Sequence, residues 1–525
     1  MMKLPKVLSS VVALAFGASG AVAQVTTSQY DNLRTGATLN EKTLTPQNVN
    51  AQQFGKLGAF KVDGAVYAQP LFVPAVEIPG KGKHDVLFVA TEHDSVYAFD
   101  AYRPNDAPLW HVILLDKKRG EEAVSAGDVQ CPFIQPEVGI TSTPLIDLQS
   151  GTLYVLARTM IGHFFKDNEY FQWLHALAIT TGAEKFGGPV QVTASVRGRG
   201  DGDKNGEVRF DALHENPRAG LLLVNNTVYL SWGSSCDVAP YHGWIMAYDA
   251  QTLAQKAVLN VTPDGIQGGI WASDTGLGAD ASGNVYVATG NGTFDAASGG
   301  RDYGDSVLKV AVDGTSMVVR DYFTAFNQAQ LNDSDADLGS SGPTLLPDQP
   351  GAHRHLLLQP GKGSMIYVID RDQMGQFHAE GDAVLQRIHI SGSGMGAMAY
   401  WNGHAYFACS GDSLRDYALV NGQLKLSSSS SIRFADPGAT PSVSADGGKN
   451  AIVWAIATKT WNGPGQRAVL YAFDAKHLSE PIYTSEQNSK RDQAGMATRF
   501  VIPVVVDGHV YFGVRDEVEM YGLLK

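Results

Sequence analysis

The sequence predicts an all-β protein, an eight-bladed β-propeller with four-stranded blades whose ring is closed by an N-terminal strand. Three observations predict it. A Tyr-centred strand motif recurs eight times, each copy follows a partner strand of similar character, and 57 glycines and 23 prolines punctuate the 525 residues. Apolar and β-branched runs bounded by Gly, Asp and Asn are short strands joined by turns. Self-similarity at a steady spacing marks a repeat architecture.

The motif reads Val96-Tyr97-Ala98-Phe99-Asp100 in its first copy and returns as Ile245-Met246-Ala247-Tyr248-Asp249, Ile366-Tyr367-Val368-Ile369-Asp370 and Leu470-Tyr471-Ala472-Phe473-Asp474. Weaker copies lie at 174–177, 307–310, 417–419 and 520–523. The spacing is roughly 50 to 80 residues, the size of one propeller blade. Partner strands precede the copies, as in Val86-Leu87-Phe88-Val89 and His509-Val510-Tyr511-Phe512. An earlier strand, often with proline, opens most units, as in Gln69-Pro70-Leu71 and Thr143-Pro144-Leu145. Three strands plus a weaker fourth, repeated eight times, describe four-stranded blades. The last unit ends at Leu524 without a fourth strand, while 57–62 is an isolated strand ahead of the first unit. That strand is expected to complete the last blade and remove an exposed edge.

The organisation expected is therefore 1–23 signal peptide, 24–54 N-terminal leader and 55–525 a single propeller. Lys3 and Lys6, an apolar run over 7–17 and Ala21-Val22-Ala23 have the form of a cleavable secretory leader. Cleavage near Ala23 would start the mature chain at Gln24. No later stretch approaches the 18 or so apolar residues of a membrane span, so a secreted or periplasmic protein without a span is expected. With 40 basic and 53 acidic residues the net charge is −13, which argues against nucleic acid and polybasic membrane binding.

The unit Tyr67-Ala68-Gln69-Pro70-Leu71, Val86 to Thr91, Val96 to Ala101 and Leu109-Trp110 resembles the pyrroloquinoline-quinone (PQQ) propeller repeat. The resemblance covers about 55–525 and implies the quinoprotein alcohol dehydrogenase-like superfamily. More narrowly, Gly139-Ile140-Thr141-Ser142-Thr143-Pro144 and Tyr241-His242-Gly243-Trp244 are similar to segments of exported bacterial PQQ-like propellers. The same blade builds dehydrogenases and binding scaffolds, so the resemblance informs fold more than function. Dehydrogenases of this type need cations for a tricarboxylate quinone, often calcium, a flat stacking partner and a catalytic Asp. Trp232, Trp271 and Trp401 are candidate stacking residues, with blade packing as their other role. The adjacent Cys-Cys pair of many members and any C-x-x-C-H haem motif are absent.

In a propeller the loops between outer and next inner strands share a face with those between second and third strands. Glu92, His93, Glu137, His214, Glu215, Arg218, Asp237, His242, Asp274, Asn291, Asp295, Asp305, Lys362 and Arg499 map there. Of these Glu137, His214, Arg218, His242, Asp274, Asn291, Asp305 and Lys362 are the leading site candidates, turn chemistry being the alternative for each. Cys131 and Cys236 fall in same-face loops of adjacent blades, so a disulfide between them is expected, with two separate thiols as the alternative. Cys409 sits in a strand as a small buried hydrophobe.

Asp201, Asp203, Asn205 and Glu207 around Gly206 match the opening of a calcium loop. The closing bidentate Glu is missing: Ala212 stands there and Asp211 is one place early. The alternative is a solvated Gly/Asp turn. The reading placed first is an exported scaffold that binds a small molecule, glycan or protein at the loop face, without bound quinone. A PQQ-dependent alcohol or sugar dehydrogenase and a polysaccharide lyase or hydrolase are the alternatives.

Overall fold

The computed structural model describes residues 23–163, 166–273, 275–458 and 466–525. All of the expected signal peptide except Ala23, and the candidate Asp274, lie outside these residues. The chain forms an eight-bladed propeller. Blade 1 runs Leu71–Ile78, Gly82–Ala90, Ser95–Asp100 and Trp110–Ile113, each antiparallel to the next. The inner strands of blades 2 to 7 are Leu145–Asp147, Leu222–Val224, Gly278–Ala279, Thr344–Leu345, Ala399–Trp401 and Ser442–Asp446. Trp110 on the outer strand of blade 1 packs its ring 5.9 Å from Phe88 and donates to the Ile179 carbonyl of blade 2. This is how the large residues of the repeat join one blade to the next.

Blade 8 closes the ring as expected. Its inner strand Val504–Val506 pairs with the start of His509–Leu523, whose second half pairs with Phe54–Ala65 in the register Phe60↔Val518. Phe512 and Tyr521 have ring centroids 5.7 Å apart. Nine residues of extended strand would separate them by about 30 Å, so the segment doubles back near Asp516, whose φ is 63°. The blade therefore has four strands, the fourth supplied from the other end of the chain.

The leader does more than precede the ring. Val25 exchanges backbone hydrogen bonds with Phe72 of blade 1, and Thr26 accepts from Ile146 of blade 2. Asn32 Nδ2 donates to the Leu223 carbonyl of blade 3. The carbonyls of Asn32, Leu33, Thr35 and Gly36 accept from Ala279, Leu345, Tyr400 and Val443 of blades 4 to 7. Tyr30 Oη accepts from the Val505 amide of blade 8. Only the axis of a propeller adjoins all eight inner strands, so residues 25–36 plug the central channel. Gln29, Tyr30 and Arg34 all have positive φ, a cost of about 1–3 kcal/mol each that only surrounding contacts sustain. Arg34 is fully buried and is the hub of the plug. Its guanidinium donates to Leu277 O at 2.9 Å, Leu221 O at 3.2 Å, Ser28 O at 2.7 Å and Thr27 Oγ1 at 2.7 Å.

Two insertions decorate one face. Residues 114–144 add the strands Glu121–Ser125 and Glu137–Val138 beside the second strand of blade 2, Thr152–Ile161. The hairpin Ser195–Arg197 with Glu207–Arg209 stands between blades 2 and 3. Cys131 of the first insertion is bonded to Cys236 of blade 3, as expected, and Cys409 is buried and free.

Candidate functional site

Above the plug the loop face opens into a funnel of ≈ 550 Å³, within the usual 300–1,000 Å³ range of ligand pockets. A smaller chamber of ≈ 40 Å³ continues from it towards Gln69, Thr143 and Thr275. Gln69 and Thr275 both bond to Gln29 of the plug, so the funnel is blind.

One wall is an alternating stack of rings and guanidinium groups. Phe133 lies 4.5 Å from the Arg499 guanidinium, and Arg499 lies 4.7 Å from the Phe500 ring. Arg218 sits 4.4 Å from the same Phe500 ring and 6.0 Å from the Trp271 ring. Phe133 comes from the first insertion, Arg218 and Trp271 from the leads into blades 3 and 4, and Arg499 and Phe500 from the lead into blade 8. Each such contact contributes about 0.5–2 kcal/mol, more where water is excluded. Arg499 also meets Asp436 at 3.2 Å.

The adjoining wall, which meets the stack at Trp271, is acidic. Asp337 Oδ1 accepts from Trp271 Nε1 at 3.1 Å and from the Asn291 amide at 2.9 Å. Lys362 Nζ lies 2.6 Å from Asp335 Oδ2 and 3.3 Å from Asp337 Oδ2, while Asn291 Nδ2 donates to Asp335 at 3.0 Å. Burial pushes Lys362 down, but Asp337 and Asp335 outweigh it and hold the ammonium above its ordinary value. Asp237, receiving the Tyr241 hydroxyl at 2.5 Å, is raised by burial and then by the charges of Asp337 and Asp335. Behind this wall Asp305 accepts from the Leu338 amide at 3.0 Å, and burial pushes its carboxyl up to about 7.

Of the sequence candidates, the funnel gathers Arg218 and Lys362 at its lining, with Asn291 and Asp305 holding the loop that carries Asp335 and Asp337. Asp237 and Arg499, named for the same face, also line it. Glu137 instead pairs with His93 at 2.7 Å. His214 pairs with Asp211 at 2.9 Å, and His242 faces away from the axis with its ring nitrogens on Thr262 and the Asp201 carbonyl. Phe294 and Tyr303 bridge around Asp295, which receives the Asp302 amide in its own loop. Of the three tryptophans, Trp271 reaches the funnel; Trp232 bonds Gln172 and Trp401 bonds the Gly447 carbonyl inside the packing.

Three of the five calcium-loop candidates direct their carboxylates to separate partners. Asp203 receives the Gly206 amide, Glu207 meets Arg209, Asp211 meets His214, and Asp201 gives its carbonyl to His242. Asn205 takes the positive-φ turn position. Among the described residues no three His, Cys, Asp or Glu side chains converge as metal ligands. In the funnel, a dication drawn to Asp237, Asp335 and Asp337 would compete with the Lys362 ammonium.

Sequence reasoning missed Asp335, Asp337, Phe133 and Phe500. Asp335-Ala336-Asp337 stands in an outer-to-inner loop, which was the available signal; the two phenylalanines carry none.

No protein-family model matches this sequence, and no curated protein sequence does. Solved structures do resemble it. The quinohemoprotein alcohol dehydrogenase from Comamonas testosteroni aligns with TM-score 0.62 at 15% identity, over 95% of this chain and 80% of that one. The quinohemoprotein alcohol dehydrogenase ADHIIG from Pseudomonas putida HK5 gives 0.59 at 15%, over 95% and 80%. A europium-containing methanol dehydrogenase gives 0.59 at 12%, over 95% and 98%. At these identities the likeness establishes the fold: this chain has the propeller architecture of the quinoprotein dehydrogenases.

Proposed function

We propose that the funnel binds a planar polycarboxylate of the PQQ class and that the protein is an oxidoreductase acting on hydroxyl-bearing small molecules. The observation that carries the proposal is the stack from Phe133 to Trp271, which puts two guanidinium groups and a flat indole on one wall. Guanidinium forks are the natural partners of carboxylates. Bound PQQ supplies a two-electron acceptor. In this reading Trp271 offers the stacking face, oriented by Asp337, and Arg218 and Arg499 balance the carboxylates. Lys362 donates to a carbonyl oxygen, and the carboxylate of Asp237 or Asp337 accepts the hydroxyl proton. The dehydrogenases of similar fold support the reading as far as fold goes. Absence of an adjacent Cys-Cys pair leaves the face opposite Trp271 to other residues.

Reconstitution tests it. Added PQQ and calcium should give quinone absorbance with the protein and dye-linked oxidation of alcohols or sugars. Failure of both disposes of the proposal. A second reading, a binding scaffold without quinone, draws on Lys362 and Arg499 being already ion-paired with Asp335, Asp337 and Asp436. It predicts ligand uptake with no oxidation. Export accords with the disulfide, since such bonds persist in oxidising compartments. No described helix is long and apolar enough to cross a membrane.

A further inference from the structure

A second cavity, of ≈ 470 Å³, lies outboard of the funnel between blades 2 and 3, beside the Ser195–Arg209 hairpin. The loop between the second and third strands of blade 3 separates the two. Cys236 and Asp237 face the funnel, while Pro240 and His242 face the outer cavity. Tyr170 and Phe210 give this cavity two aromatic rings. Phe210 is held edge-on by Trp232 and Trp244, with centroids at 5.0 and 6.0 Å, so it is a rigid platform.

The polar lining is unusual in one respect. Glu215 is 1% exposed, and its Oε1 accepts from the His242 amide and Trp244 Nε1, both at 3.1 Å. Its Oε2 has no partner. A buried polar atom left unpaired calls for a ligand or an ordered water. On the same wall Asp211 carries a carboxylate: burial raises it, but hydrogen bonds from His214 and Leu213 bring it below its usual range. Burial pushes Glu215 well above its own.

Charge selects the ligand. The lining sets the carboxylates of Asp201 and Asp211 against the cations Lys204 and Arg209, so its charges balance and favour neither a compact anion nor a compact cation. An apolar ligand would leave Glu215 unpaired. An uncharged ring with one C–H face and an edge of hydroxyls satisfies both parts of the lining, its face on the aromatic rings and its edge on the carboxyl groups.

We infer that this outer cavity is a binding site for a neutral sugar unit, a pyranose seated on Phe210 and Tyr170 with hydroxyls bonded to Asp211 and Glu215. The site is independent of the chemistry in the funnel.

Saturation-transfer NMR and calorimetry with glucose, galactose, mannose and xylose test it on the full chain. At least one should bind saturably, and Tyr170→Ala and Asp211→Asn should each weaken it tenfold or more. Gln191→Ala, an exposed change at the cavity edge that leaves the core intact, should weaken it several-fold. Trp271→Ala in the funnel should leave it unchanged. Absence of saturable binding by all four sugars overturns the inference. So does binding that survives these cavity substitutions, or binding lost with Trp271, which would place the sugar in the funnel.

Discussion

The indole Nε1 of Trp271 donates to Asp337 Oδ1 at 3.1 Å, a bond between residues 66 positions apart in the sequence. It ties the lead into blade 4 to the lead into blade 5 and fixes the plane of the ring at the funnel wall. The same carboxylate also holds the Asn291 amide and Lys362.

Trp271→Phe keeps a ring but loses this anchor, and Trp271→Ala loses both. If the funnel takes a planar acid, affinity for PQQ should fall about tenfold for Phe and a hundredfold for Ala, or about 1.4 and 2.7 kcal/mol. Tryptophan-quenching titrations read this. Equal affinity for all three proteins would remove Trp271 from the site.

Arg34→Met should be among the most damaging single changes. Its carbonyl partners on the plug and on blades 3 and 4 would be left buried and unsatisfied, each at about 1–3 kcal/mol. A loss of at least about 3 kcal/mol is expected, measured by chemical denaturation. A loss within 0.5 kcal/mol would mean the plug is dispensable.

Glu92 is 1% exposed, accepts from the Gly139 amide and the Thr141 hydroxyl, and leaves its Oε1 unpaired. Burial raises its pKa from 4.5 to about 7. A carboxyl raised on folding contributes stability in full below about pH 4.5, and that contribution disappears as pH rises through 7. Between pH 5 and 8 wild type should therefore lose on the order of 3 kcal/mol more than Glu92→Gln, which mimics the protonated form. Denaturation curves of the two proteins with the same pH slope would contradict this.

Cys131 and Cys236 close a loop across a separation of 105 residues. Replacing both by alanine should cost about 2–5 kcal/mol. The segment carrying Phe133 and Ile134 is held at the funnel by this bond and by Tyr67 Oη, which donates to the Phe133 carbonyl. It should become the first site of limited proteolysis in the double variant, with slower loss of the intact ring. A cleavage pattern like wild type would show that the bond does not hold the segment.

Much of this molecule was legible in the sequence because strands announce themselves locally. Alternating apolar residues and turn punctuation depend on near neighbours, so the blades, the closing strand at 57–62 and the facing loops could all be read from the chain. Once loops were assigned to a face, Cys131 and Cys236 could be paired, and Arg218, Lys362 and Asn291 singled out.

The plug could not be read this way. Residues 25–36 bind the ring mainly through backbone groups and one buried arginine, and such bonds impose no periodic pattern on side chains. Nor could the order of the wall from Phe133 through Arg499, Phe500 and Arg218 to Trp271. Its members come from four places in the chain, and each alone resembles an ordinary loop residue. The sequence by itself determined an eight-fold repeat and which loops share a face. Only the closed ring decided which side chains meet there, because the distances between loops of different blades are set by the circumference and not by their separation along the chain.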